Sequence, residues 1–208
     1  MLKRQYSRVF RNRLITAVFL IAALIVPAGA FPAFAGTVPA LPEDPQAAMY
    51  NEFADLILRR ITDDSMGDYE KCCAVYDYVH SIPYINIVYA QDDWRENGYE
   101  MLMQRGGDCF GYYSASRLLL ERLGYQVIEM QNNNGFTHFW CLVSTDGGST
   151  WRHFDPTCWS WGSDGYLCMV TDDELAWYAQ CHPIDAWTVT HDWDRMQTVL
   201  QIEATWNN

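Results

Sequence analysis

Residues 106–124, GGDCFGYYSASRLLLERLG, decide the reading of this chain. Two glycines end a loop. Asp108 then offers a carboxylate to the orphan backbone N–H groups of a helix start, and Gly124 suits the left-handed position beyond a helix's last turn. Between them the sequence predicts a helix over 109–123, with Cys109 at its first position. The partial positive charge and free N–H groups of a helix N-terminus favour thiolate over thiol. Gly106, Gly107 and Gly111 allow close approach of backbone and substrate, and the same N–H groups can act as oxyanion donors. A small buried Cys is the bland alternative.

Working downstream, strands are expected over 126–130, 137–145, 149–155 and 166–170, with an edge strand over 198–205. Thr171-Asp172-Asp173-Glu174 reads as a capping box opening a short helix. The sequence Thr145-Asp146-Gly147-Gly148-Ser149 joins two of the strands. A two-residue Asp146-Gly147 turn is a favoured hairpin connection. It pairs Thr145 with Gly148 and sets His138 directly opposite Asp155, close enough to meet. A Gly147-Gly148 turn shifts the ladder and sets Asp155 opposite Trp140. An Asp beside a His orients the ring and stabilises its charged form, and the ring can take the proton of a nearby Cys. Singly, His138 and Asp155 are ordinary strand residues; with Cys109 they form a candidate catalytic set.

Working upstream, Met49, Phe53, Leu56, Ile57 and Ile61 recur at helical spacing, with Pro45 in the first turn, so 45–61 is an expected helix. A second runs over 68–80, with Cys72, Val75, Tyr76 and Val79 on one face and Pro83 beyond it. Residues 84–104 give no clear pattern, and 36–44, with Pro39 and Pro42, read as a linker. Helices followed by a run of strands predict an α+β architecture.

The first 35 residues read as a signal peptide: five basic residues, an apolar run over 14–26 and a small-x-small Ala33-Phe34-Ala35 site. Cleavage after Ala35 implies a secreted, extracellular or cell-surface domain over 45–208 without stable membrane association. It leaves nine Lys and Arg against 26 Asp and Glu, a charge near −17, which disfavours nucleic-acid partners. Seven cysteines in an exported chain fit one free nucleophile plus up to three bridges, or a largely reduced set.

Gly107-Asp108-Cys109-Phe110-Gly111-Tyr112, then His138-x-Trp140, then His153-Phe154-Asp155-Pro156-Thr157, resemble the transglutaminase-like superfamily, in that order, over about residues 50–160. The Leu123-Gly124-Tyr125 helix exit also matches that family's layout, whereas the segment after 160 matches less well. The resemblance implies a bacterial, papain-like α+β domain, with the Cys at a helix start packed on an antiparallel sheet carrying His and Asp. It implies Cys109 as nucleophile, His138 as general base and acid, and Asp155 as the orienting residue, with no cofactor and no metal. The reaction implied is acyl transfer through a thioester from a protein or peptide substrate. Water as acceptor gives a protease or amidase, the leading reading; an amine gives a glutamine crosslinker. Tyr84 and Trp94 stand as candidates for the family's aromatic oxyanion helper.

Peptidoglycan hydrolases of the NlpC/P60 type share an Asp-Cys-x-Gly element but use a second His where this chain has Asp155. A non-catalytic cell-surface binding module is a further alternative. Its ligand platform would come from Trp140, Trp151, Trp159, Trp161, Trp177, Trp187 and Trp193, although core packing is the commoner use of such rings. His153, Cys158, Cys168, Cys181 and His182 have irregular spacing without a Cys-x-x-Cys knuckle, which argues against a structural metal.

Overall fold

A computed structural model describes residues 44–86, 93–132, 137–158, 165–182 and 187. The expected signal peptide, most of the linker and the 198–205 strand lie outside these residues. Among them the chain runs α1 (Pro45–Ile61), α2 (Asp68–His80), α3 (Trp94–Gln104), α4 (Cys109–Arg122), β1 (Gln126–Asn132), β2 (His138–Ser144), β3 (Arg152–Phe154), β4 (Cys168–Val170) and α5 (Asp172–Cys181). The strands form one antiparallel sheet in sequence order. Helices and an antiparallel sheet in one unit are the expected α+β class.

The helix starts are set locally. Asp44 accepts from the Gln46 N–H at α1, and Asp108 from the Gly111 N–H at α4. Thr171 and Glu174 satisfy each other's backbone N–H groups at α5, the expected capping box. Gly124 takes the left-handed conformation after α4, at φ 86°. Every residue from Phe110 to Leu120 is buried. That is the pattern of a helix covered on all sides: the sheet packs on it through β1 and β2, and α1, α2 and α3 pack on it as well.

Helix α3 is the element the sequence pattern does not reveal. Its buried positions are Asn97, Gly98, Met101 and Leu102, so half of its inward stripe is not hydrophobic. Gly98 is there for contact: a Cβ at this position would stand 2.6 Å from the Ser114 carbonyl oxygen of α4. The Asn97 amide is satisfied within the helix, donating to the Asp93 carbonyl at 2.6 Å.

The hairpin register is the second of the two weighed. Cys141 pairs with Phe154, Leu142 with His153 and Val143 with Arg152. Continued one step, this sets Asp155 level with Trp140, two residues from the position opposite His138. The turn residues decide it. Gly147 and Gly148 both have positive φ, 71° and 91°, as a primed turn demands of its two central positions. Asp146 instead stays outside as a clamp: its carboxylate accepts from the Ser144 hydroxyl, the Thr150 N–H and the Thr150 hydroxyl. That clamp takes up the first residues of the expected 149–155 strand and leaves β3 only three residues long. A slip of two is one full pleat period, so Asp155 keeps the face of His138.

These hydrogen bonds hold the Asp146 carboxyl down to about 2. A carboxyl lowered on folding contributes stability above its unfolded value of about 3.9 and loses it as pH falls through the folded value. Asp146→Asn should therefore lower the melting temperature at pH 7 and lower it less at pH 3. Melts by circular dichroism at both values check this; an equal drop at both would remove ionisation from the account.

Candidate active site

His138 is fully buried at the first residue of β2. Its Nε2 lies 2.7 Å from Asp155 Oδ2. Asp155 follows the last residue of β3, and its own N–H donates to the Leu167 carbonyl at 2.9 Å. The same Oδ2 accepts from Trp187 Nε1 at 2.7 Å, and Oδ1 accepts from the Thr157 N–H at 3.1 Å. An indole and a backbone amide can only donate. The Asp155 carboxylate is thus set among donors, and the nitrogen of His138 that faces it must be the protonated one. This places the proton on Nε2 in the neutral ring and leaves Nδ1 with its lone pair.

Burial by itself would raise the Asp155 carboxyl. The His138 charge, with hydrogen bonds from His138, Thr157 and Trp187, outweighs burial and holds it below the usual carboxylate range. Further contacts fix the surroundings. The Trp140 ring lies stacked 5.5 Å from His138, and Trp187 meets the imidazole edge-on at 5.7 Å. Trp140 Nε1 donates to His153 Nδ1, whose Nε2 reaches Asp172. His80 approaches the Pro156 carbonyl at 3.0 Å and so steadies the chain just after Asp155.

Cys109 stands at the first turn of α4, half-buried. Its Sγ is 3.9 Å from the Thr137 carbonyl, and the Phe139 N–H stands close enough to favour the thiolate. The sulfur therefore rests on the backbone on both sides of His138, and all three expected residues share one neighbourhood. The expected thiolate bias is not met. Burial, followed by the carboxylates of Asp108 and Asp155, pushes the Cys109 thiol up to about 11; the Phe139 and Phe110 N–H groups oppose this without reversing it.

Of the two aromatic candidates, Tyr84 lies at this site. It bridges Gly107 in parallel, just before the cysteine, and stacks on Tyr112 with ring centroids 6.2 Å apart. Burial with the nearby Cys109 and Asp108 pushes its phenol up to about 12 against a smaller opposing effect of the Cys109 N–H, so it stays protonated. Trp94 is placed differently: its ring lies 4.2 Å from the guanidinium of Arg117, about 12 Å along α4 from Cys109 at a helical rise of 1.5 Å per residue.

Trp187 is the contributor that sequence spacing did not single out for this site. It stands 32 residues from the acid it contacts, beyond the matched segment, and no local pattern marks it. The other described tryptophans divide. Trp140 is buried, Trp151 is tied to the Gly148 carbonyl, and Trp177 is exposed on α5. Trp159, Trp161 and Trp193 lie outside the described residues.

No family model matches this chain. No curated protein matches it either. Among solved structures, a candidate cysteine protease from Cytophaga hutchinsonii aligns with 58% of this chain and 45% of its own, at 17% identity and a TM-score of 0.41. A TGase aligns with 62% of this chain and 37% of its own, at 16% identity and a TM-score of 0.44. The chain spans less than half the length of either structure, and over about three fifths of its own length it is similar to both.

Proposed function

We propose that the chain is a cysteine acyl-transfer enzyme on a papain-like, transglutaminase-like fold, with Cys109 as nucleophile, His138 as base and acid, and Asp155 as the orienting carboxylate. The observation that carries this reading is the donor set around Asp155. Three donors fix the carboxylate, the carboxylate fixes the imidazole proton on Nε2, and the lone pair on Nδ1 is then available to a thiol. Cys109, resting on the backbone either side of that imidazole, is the thiol.

In the mechanism this supports, Cys109 stays a thiol until attack. As Sγ closes on the substrate carbonyl carbon, its proton passes to His138 Nδ1, and Asp155 stabilises the imidazolium that results. Tyr84, a protonated hydroxyl beside the Cys109 N–H, lies where a developing oxyanion needs a donor. The imidazolium returns the proton to the leaving amine, and a thioester remains on Cys109. Water then gives hydrolysis of a peptide or amide bond, the leading activity; a primary amine gives a new amide.

The test uses the full chain with fluorogenic peptide and glutaminyl amides, with and without a primary amine. An acid quench should trap an acyl adduct on the Cys109 peptide by mass spectrometry. Cys109→Ala should lose the adduct and reduce turnover by roughly four orders of magnitude or more. Diversion of product into the amine conjugate selects the crosslinking reading. Full turnover in Cys109→Ala would overturn the nucleophile assignment, and absence of any adduct or turnover would favour the binding-module alternative.

A further inference from the structure

A second pair of cysteines stands apart from Cys109. Cys73 on α2 and Cys168 on β4 are 95 residues apart in sequence, and their Sγ atoms are 3.4 Å apart. We propose that Cys73 and Cys168 form a disulfide that ties α2 to β4 in the working protein. A disulfide bond is about 2.05 Å long, so the two sulfurs need approach by only about 1.4 Å beyond their present contact.

The local backbone gives an independent reason. The β3–β4 pairing is irregular: Phe154 pairs with Cys168, but His153 pairs with Val170, so Met169 is an extra residue on β4. Met169 takes φ 57°, the left-handed region that an unbranched L-residue enters only under constraint. This bulge adjoins Cys168 and turns the strand where it passes α2, so a strained residue is retained at the point where the two sulfurs meet. Adjacent Cys72 is fully buried in the core, and successive helical residues point about 100° apart, so only one of the two neighbours faces β4.

The chemistry balances as thiol–disulfide exchange with a small disulfide of the glutathione class. Half-buried Cys73 is the accessible thiol; as thiolate it attacks one sulfur and releases one glutathione thiol. The Cys168 thiolate then attacks the Cys73 sulfur of the mixed disulfide and releases the second. Two cysteine thiols are oxidised to one disulfide, and one glutathione disulfide is reduced to two thiols, which take up the two protons. The link would close a long loop, which is where such bonds constrain the unfolded chain most. It would also anchor β4 next to Leu167, the residue whose carbonyl holds the Asp155 N–H. The proposal does not depend on the catalytic reading.

The experiment equilibrates the full chain with a glutathione redox buffer, blocks remaining thiols with iodoacetamide, digests without reduction and sequences the linked peptides. The expected result is a Cys73–Cys168 link that survives Cys72→Ser and is lost in Cys73→Ser. Adding dithiothreitol should then lower the melting temperature of the wild type by roughly 10 °C and leave that of Cys73→Ser unchanged. If Cys168→Ser does not fold, the half-exposed Cys73→Ser carries the comparison. Iodoacetamide on both Cys73 and Cys168 after oxidation would overturn the proposal. So would a Cys72–Cys168 link, or a melting temperature indifferent to reductant.

Discussion

Asp155→Ala should lower the unfolding free energy by about 3–5 kcal/mol, because it strands several buried donors at once. The side chain is almost fully buried and receives His138 Nε2, Trp187 Nε1 and the Thr157 N–H. Urea denaturation monitored by tryptophan fluorescence measures the loss. Asp155→Asn keeps the shape and, with its oxygen in the Oδ2 place, still accepts from His138 and Trp187, so it should cost much less stability; but its NH2 then faces the Thr157 N–H and the negative charge that stabilises the imidazolium is gone, so turnover falls with the fold intact. The carboxyl is held below its ordinary value on folding, so its contribution is present above the unfolded value near 3.9 and is lost as pH falls below about 4. The stability gap between wild type and Asp155→Asn should accordingly be steady from pH 5 to 7 and narrow in acid. A gap that persists undiminished at pH 3 would mean that packing, and not charge, accounts for it.

The second large effect is on the thiol. His138→Asn should slow iodoacetamide labelling of Cys109 by about 100-fold or more at pH 7. The forces that raise the thiol are burial and the carboxylates of Asp108 and Asp155, and the substitution leaves all of them in place. What it removes is the nitrogen that can take the proton and leave an imidazolium beside the sulfur. In the wild type the thiol is raised by the same forces, and His138 speeds labelling by taking the proton as the sulfur attacks, so the two profiles should converge as pH nears 11. Asn is chosen because its amide can still donate to Asp155, so the variant stays folded where Ala would leave the acid bare. Rates are read as labelled Cys109 peptide against time from pH 6 to 11. Matching profiles in the two proteins would remove His138 as the base, whatever becomes of the fold.

Much of this was legible without coordinates, and the reason is physical range. The start of α4 needs only Asp108 three residues from the N–H it caps, and its end needs only Gly124. The first two helices follow from apolar spacing, and the α5 capping box from two residues within one turn. That His138 and Asp155 share a face also followed from the sequence, because both weighed registers differ by one pleat period and keep the parity of side chains. What packing decided is what depends on distant partners. The register went to Gly147-Gly148 because those residues accept positive φ while Asp146 is held as a clamp by Ser144 and Thr150. Helix α3 is held by a glycine pressed on the backbone of α4, a contact with no hydrophobic signature. Trp187 reaches Asp155 across 32 residues, and Tyr84, not Trp94, reaches the cysteine through a bridge to Gly107. The Cys109 thiol is raised by burial and by the carboxylates of Asp108 and Asp155; Asp108 is its neighbour in the chain, but burial and Asp155 act through the fold. Local hydrogen bonds and periodicity are fixed by neighbours in the chain; register, close approach and electrostatic environment are fixed only when the chain has folded.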